Sequence, residues 1–313
     1  MASVDRGRYG CLVDDEPVIA MKARELGRRA VVVGDRVALA GDVSGEQGTL
    51  ARIVRVRPRT SVLRRSADDT DPVERVIVAN ADQLIIVCAL ANPPPRLRFI
   101  DRCLVAAYDA GLAPLLCLTK ADLAAPDDVI AVYEPLGVPC VVTSRPFTDD
   151  MIAGLRSRLA GRQSVLIGHS GVGKSTLVNA LIPEAGRAVG VVNPVTGRGR
   201  HTSSSAVALR LPDSVKEEGA EGRQDEVRGK TEAGRGGWVI DTPGLRSFGL
   251  GHVSPDRVVR AFPDLAEGAA QCPPGCTHLE ESCTLDDWAA AHGAEARLDS
   301  LRRLLRSREG ADT

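Results

Sequence analysis

The chain has 313 residues, a formal charge of −1 and 43% hydrophobic residues, of which few are aromatic (3% of the chain). This length allows two or three domains with aliphatic cores, and the near-neutral balance excludes a uniformly basic nucleic-acid binder, so any such contact must come from local patches. No apolar stretch follows the charges of MASVDRGRYG, the run Leu84 to Ala91 is far short of the roughly 20 residues of a membrane span, and the eight cysteines read as reduced thiols or metal ligands. A soluble cytoplasmic protein is expected.

From Ala30 to about Leu63, short apolar runs alternate with glycine turns, the pattern of a small β-barrel or sandwich. Between Ala51 and Arg65, arginines occur at 52, 55, 57, 59, 64 and 65 without an intervening acid. Alternation would set Arg55, Arg57 and Arg59 on one strand face, either as a track for a phosphate backbone or as an ordinary solvated surface.

Residues 76–250 alternate apolar runs with helical stretches, as in an α/β domain with a parallel sheet. Strands are expected at Gln83–Cys88, Pro114–Thr119, Val138–Thr143, Ser164–Gly168, Ala206–Leu211 and Trp238–Asp241. Leu97, Ile100, Leu104 and Ala107 recur at helical spacing. Cys88, Cys103, Cys117 and Cys140 fall in apolar surroundings and read as buried small hydrophobes.

Three strand ends in this region carry chemistry. The first is Thr119-Lys120-Ala121-Asp122, whose carboxylate can accept from both N1–H and the N2 amine of guanine, while Lys120 lies along the base. The second is Thr143-Ser144, where a backbone N–H can meet the guanine O6. The third is Gly168-His169-Ser170-Gly171-Val172-Gly173-Lys174-Ser175-Thr176, a complete phosphate-loop signature between a strand and a helix. Its glycines let backbone N–H groups converge on an anion, Lys174 meets the β- and γ-phosphates, and Ser175 can coordinate Mg²⁺.

Downstream, Asp241-Thr242-Pro243-Gly244 ends an apolar strand. There Asp241 can hold Mg²⁺ through water and the Gly244 N–H can sense a γ-phosphate. In the polar stretch Gly197 to Ser205, Thr202 (or Ser203) is expected to complete the Mg²⁺ shell. Leu245 stands where Ras-type GTPases carry a water-orienting glutamine, which leaves His201 as the candidate catalytic residue. The charged, glycine-rich stretch 212–237 reads as an exposed, disordered insertion.

Near the C-terminus, Cys272, Cys276, His278 and Cys283 supply three thiolates and an imidazole, a closed set suited to structural Zn²⁺. A helical tail follows, with Leu298, Leu301 and Leu305 on one face and Arg302, Arg303, Arg306 and Arg308 outside or at its edge.

Taken together, these motifs resemble the RsgA (YjeQ/EngC) family of circularly permuted GTPases, in which the base-reading motif precedes the phosphate loop. The resemblance covers nearly the whole chain. It implies an OB-fold barrel (1–75), a permuted P-loop GTPase domain (76–250) and a small helical zinc-binding domain (251–313). It also implies GTP hydrolysis to GDP and phosphate that the small ribosomal subunit stimulates, during late maturation of that subunit. The implied cofactors are Mg²⁺ with GTP and one structural Zn²⁺. The implied partners are GTP/GDP and the small subunit with its rRNA, with no membrane, for a monomeric protein. An RNA-binding assembly factor with a structural nucleotide, and a P-loop ATPase or kinase, are the alternatives. Three positions depart from the family pattern. Thr119 replaces the usual asparagine and is expected to weaken a brace to the phosphate loop; HTSSS replaces a threonine run; and the metal ligands are spaced more tightly than is usual. Because DTPG runs directly into the zinc domain, loss of the γ-phosphate is expected to reposition that domain.

Overall fold

The computed structural model describes residues 1–5, 7–27, 31–46, 48–66, 74–186, 206–212, 236–243, 249–250, 253–280 and 283–308. The first strands are β1 (Ser3–Asp5), β2 (Arg8–Val13), β3 (Glu16–Lys22), β4 (Val37–Ala40) and β5 (Ala51–Val56). Their spatial order is β1-β2-β3-β5-β4, with β3 and β5 parallel and the other pairs antiparallel. Side chains alternate across these strands, so Cys11, Val18, Ala20, Ala51 and Ile53 form a core while Leu12, Ile19, Met21 and Val54 face outward.

The expected arginine stripe is broken. Arg57 and Arg59 lie beyond the end of β5, where alternation no longer applies. Arg59 turns inward to Asp35, with Nε 2.7 Å from Oδ1. Asp35 is buried and also accepts from the Val32 N–H, so this guanidinium neutralises a carboxylate that burial would otherwise penalise.

A hairpin of β6 (Val62–Arg65) and β7 (Arg75–Ala79) leads into an α/β unit. Its elements are β8 (Gln83–Ala89), α1 (Leu97–Ala110), β9 (Ala113–Thr119), α2 (Asp127–Tyr133), β10 (Cys140–Val142), α3 (Asp149–Leu159), β11 (Gln163–Ile167), α4 (Lys174–Leu181), β12 (Val207–Arg210) and β13 (Trp238–Asp241). The expected strands therefore appear within a residue or two of their apolar runs. β8 is buried along its whole length, as a central parallel strand with both faces covered must be. Helix α1 stops at Gly111, whose left-handed φ of 68° closes it without the steric cost a side chain would add. Helix α3 starts at Thr148, whose hydroxyl accepts from the Met151 N–H at 3.3 Å.

Sheet order is β10-β9-β8-β11-β13-β12, continued by β1 into the N-terminal strands. The connections from β8 step outward to β9 and β10, then return to β11 and continue the other way. Strands β8 and β11 therefore flank a topological switch point, and the crevice at their carboxyl ends is where an open α/β sheet receives a ligand. One apolar layer includes α1, and a second unites α3 and α4 against the opposite face.

Four helices follow: α5 (Pro255–Val259), α6 (Pro263–Ala269), α7 (Leu285–His292) and α8 (Glu295–Arg308). Their buried residues, among them Val258, Phe262, Leu285, Leu301 and Leu305, belong to the same apolar layer as α1. Leu298, Leu301 and Leu305 point inward as expected. Arg302 and Arg303 are half-buried and paired: Arg302 forms two hydrogen bonds to the Asp286 carboxylate (2.6 and 2.8 Å), and Arg303 pairs with buried Asp101 of α1 at 3.2 Å. Arg102 of α1 donates to the Ser307 carbonyl. Among the described residues no helix is long and apolar enough to cross a membrane.

Candidate functional site

The crevice is built from strand ends. Strand β11 runs into Gly168, where an added Cβ would stand 2.4 Å from the Val87 carbonyl oxygen of β8, so only glycine fits. Gly171 and Gly173 hold φ of 81° and 99°, turning the backbone into the first turn of α4. Lys174 opens that helix and is buried. Its Nζ donates to the carbonyls of Gly168 (2.5 Å) and His169 (2.9 Å). The His169 ring lies against Phe99 of α1, with centroids 4.0 Å apart.

Burial pushes the Lys174 pKa down to about 8, partly opposed by the nearby Asp241 carboxylate. The sign of the resulting pH dependence differs for binding and for stability. A phosphate ligand needs the ammonium, so GTP affinity is expected to fall about tenfold between pH 7 and pH 9. Fold stability moves the other way, because between about pH 8 and the ordinary lysine value the unfolded chain binds the extra proton. Titrating nucleotide affinity and thermal stability over this range on one sample checks both signs.

The end of β9 meets the same loop. Thr119 is buried and its Oγ1 donates to the Val172 carbonyl at 2.6 Å. The shorter threonine side chain thus still reaches the loop backbone. Lys120 has φ 62° and its Nζ donates to the Gly171 carbonyl at 2.9 Å and to that of Asn92. Asp122 Oδ1 accepts from the Arg145 N–H at 2.9 Å, which fixes the carboxylate beside the Thr143-Ser144 turn. That turn is held in place by the Thr143 N–H on Leu118 O (2.7 Å) and the Ala121 N–H on Thr143 O (3.1 Å).

On the other side, Asp241 ends β13 in register with Leu166 and is buried. Thr242 Oγ1 donates to Leu166 O at 2.6 Å, tying the DTPG turn to β11. A buried carboxylate and the Ser175 hydroxyl are hard oxygen donors of the kind Mg²⁺ selects. His201, Thr202, Ser203, Gly244 and Leu245 lie outside the described residues, as does 213–235. Asn92 and Phe99 were missed from sequence. Asn92 acts through a backbone carbonyl that leaves no side-chain signature, and Phe99 reads as one more residue of a buried helix face.

A second cluster lies in the C-terminal helices. The ligand atoms of Cys272, Cys276, His278 and Cys283 all fall within 4.8 Å of one another. Cys283 Sγ is 3.6 Å from Cys272 Sγ, 3.8 Å from Cys276 Sγ and 3.7 Å from His278 Nδ1. Tetrahedral zinc with Zn–S of about 2.3 Å requires S···S separations of about 3.8 Å, so the set fits the ion despite its tight spacing. His278 takes a left-handed φ of 63°, and Arg302 Nε holds its carbonyl at 3.0 Å.

The model of the RsgA GTPase family matches residues 56–251. The chain belongs to the RsgA GTPase family. It shares 37% identity over 293 residues with the small ribosomal subunit biogenesis GTPase RsgA of Pseudomonas syringae pv. syringae, covering 89% of this chain and 75% of that one. The protein of the same name from Pseudomonas aeruginosa is 37% identical over 266 residues, with 80% and 70% covered. Among solved structures, YjeQ from Thermotoga maritima aligns over 99% of this chain and 98% of its own, with a TM-score of 0.65 and 25% identity. YloQ, described as a circularly permuted GTPase, gives a TM-score of 0.63 over 100% and 95% at 21% identity, which speaks to the fold. As an RsgA GTPase the chain is a GTP hydrolase, and in the sheet the β9 end at Thr119 comes earlier in the chain than the Gly168–Thr176 loop to which it bonds.

Proposed function

We propose that the protein hydrolyses GTP to GDP and phosphate on the small ribosomal subunit, during maturation of that subunit; the relatives' name, small ribosomal subunit biogenesis GTPase, supports this reading. What supports guanine as the base is the joining of β9 to the phosphate loop through Thr119 and Lys120, with the Asp122 carboxylate fixed beside it. In this reading Gly168 to Thr176 cradle the phosphates, Asp122 accepts from guanine N1–H and N2, and Ser144 lies near O6. Ser175, Asp241 and Thr202 hold Mg²⁺, which supplies charge neutralisation at the β- and γ-phosphates. Gly244 meets the γ-phosphate and His201 places the attacking water.

The division into 1–75, 76–250 and 251–313 follows the same reading. An OB-type barrel at the N-terminus is supported by five short strands in which β5 crosses to lie between β3 and β4, as in a partly open Greek-key barrel. The exposed Arg52, Arg55 and Arg57 suit contact with an RNA backbone. A ribosomal partner places the protein in the cytoplasm.

One structural Zn²⁺ fits the cysteine–histidine cluster, where it would displace the thiol protons and hold three sulfurs and an imidazole together. Stripping metal with a strong chelator is therefore expected to release one equivalent of zinc and to expose the amides of the 272–283 loop to hydrogen exchange. Unchanged protection after complete metal loss would argue against a structural ion.

The decisive experiment is GTP hydrolysis with and without purified small subunits. Turnover is expected to rise at least about tenfold on the subunit, well within what supplying missing transition-state groups in trans can give. Absent GTP turnover, or equal turnover of ATP, would overturn the assignment.

A further inference from the structure

The two flanking modules are attached to the GTPase unit in different ways. On the C-terminal side, α8 packs on α1 within one continuous apolar layer that also contains Cys283. Across that contact Arg303 pairs with buried Asp101, Arg102 bonds the Ser307 carbonyl, and Arg297 bonds the Pro135 carbonyl at 2.9 Å. Moving this module would tear a shared core and strand a buried carboxylate, which is costly.

The N-terminal strands have a core of their own and meet the GTPase unit at two kinds of contact. One is a tight junction with the end of β7. Here the Ala79 N–H bonds Val33 O (3.1 Å), Asn80 Nδ2 bonds Gly34 O (2.9 Å), and Asn80 Oδ1 receives the Thr60 N–H (2.8 Å). The other contacts fall on residues just past the first of the two switch segments. Strand β12, which starts just past Ser205, pairs its free edge with β1: Ser3 lies opposite Val207, and the Ala208 N–H donates to Ala2 O at 2.8 Å. Arg210 pairs with Asp15 of the β2–β3 turn at 2.9 Å. Gly249, just past the 244–248 segment, instead accepts from the Ser66 N–H at 3.2 Å, at the end of β6, whose Leu63 lies in the α1 layer.

We infer that the N-terminal barrel, and not the cysteine–histidine module, is the nucleotide-responsive part of this protein. Strand β1 acts as a built-in occupant of the β12 edge, and the Val33–Asn80 junction serves as the pivot. The segment that leads into β12 is coupled to the barrel by backbone hydrogen bonds within a few residues, so a shift of β12 is passed directly to β1. An exposed sheet edge that accepts a strand is a recurrent recognition mode, filled here by the chain itself. The inference rests on the switch roles assigned above.

The test uses the full-length chain with GDP and with a non-hydrolysable GTP analogue. Binding of both is measured first, because failure to bind either would remove the switch assignment itself. Given binding, hydrogen exchange of amides in β1, β2 and β12 is expected to differ between the two states by at least about fivefold, a size typical of coupled sites, while α8 and the 272–283 loop stay unchanged. The pair Ser3→Cys/Val207→Cys provides a second readout. Ser3 and Val207 form a non-hydrogen-bonded cross-strand pair, whose close approach a disulfide can span. Oxidising it is expected to change the ratio of GDP to GTP-analogue affinity at least about fivefold relative to the reduced form. A nucleotide-dependent change confined to the C-terminal helices, or an affinity ratio indifferent to the cross-link, overturns the inference.

Discussion

Replacing Lys174 with alanine is expected to reduce GTP turnover by at least about 10²–10³-fold, the usual effect of removing one preorganised charged donor from a developing phosphate charge. Its ammonium is held by the Gly168 and His169 carbonyls in the free protein, so it already points into the loop where phosphate oxygens would replace them. The fold is expected to tolerate the change. Burial pushes this lysine down to about 8, which means that the folded state disfavours its charge. Relief of that burden offsets the two lost carbonyl contacts, and the melting temperature should stay within a few degrees. Steady-state kinetics beside a thermal melt separates the outcomes. A variant that melts far lower would make Lys174 a structural residue first.

Asp122→Asn is expected to move nucleotide preference from guanosine to xanthosine triphosphate. The carboxylate offers two acceptors to the guanine N1–H and N2 amine, and asparagine turns one of them into a donor that the xanthine C2 oxygen can use. Losing a charge-assisted hydrogen bond and leaving a polar pair mismatched costs about 3 kcal/mol, on the order of 10²-fold in GTP affinity. The Arg145 N–H can keep its partner, since the asparagine oxygen can still accept it, so the Thr143-Ser144 turn should hold its position. Competition binding with GTP, XTP and ATP reads this directly. Retained preference for GTP would show that the carboxylate does not face the base.

Much of the central sheet was legible because parallel strands buried on both faces are written as continuous apolar runs; β8, β9, β11 and β13 follow their runs almost residue for residue. The turn from β11 into α4 was legible because glycine is required where the backbone approaches Val87 closely and where φ is positive at Gly171 and Gly173. What sequence hid is what depends on partners remote in the chain. Thr119 looks like a weaker asparagine until Val172, 53 positions away, is brought to its hydroxyl. Arg59 looks like part of a basic stripe until Asp35 folds beneath it. Arg302 and Arg303 look like a free helix edge, yet one holds the His278 carbonyl and the other a buried aspartate. Charge patterns alone do not say whether an ion is facing water or another ion.

The connection between β12 and β13 has a practical consequence. These strands pair along their length, and the Leu211 N–H closes the pair on Gly237 O at 2.8 Å, so the two ends of the intervening chain are pinned side by side. Once loop ends are fixed, doubling the length between them costs only about 0.6 kcal/mol. A fluorescent reporter or affinity handle spliced between residues 213 and 235 would thus ride on the β12–β13 pair, report on its environment, and leave the Met1 ammonium on its Asp35 carbonyl.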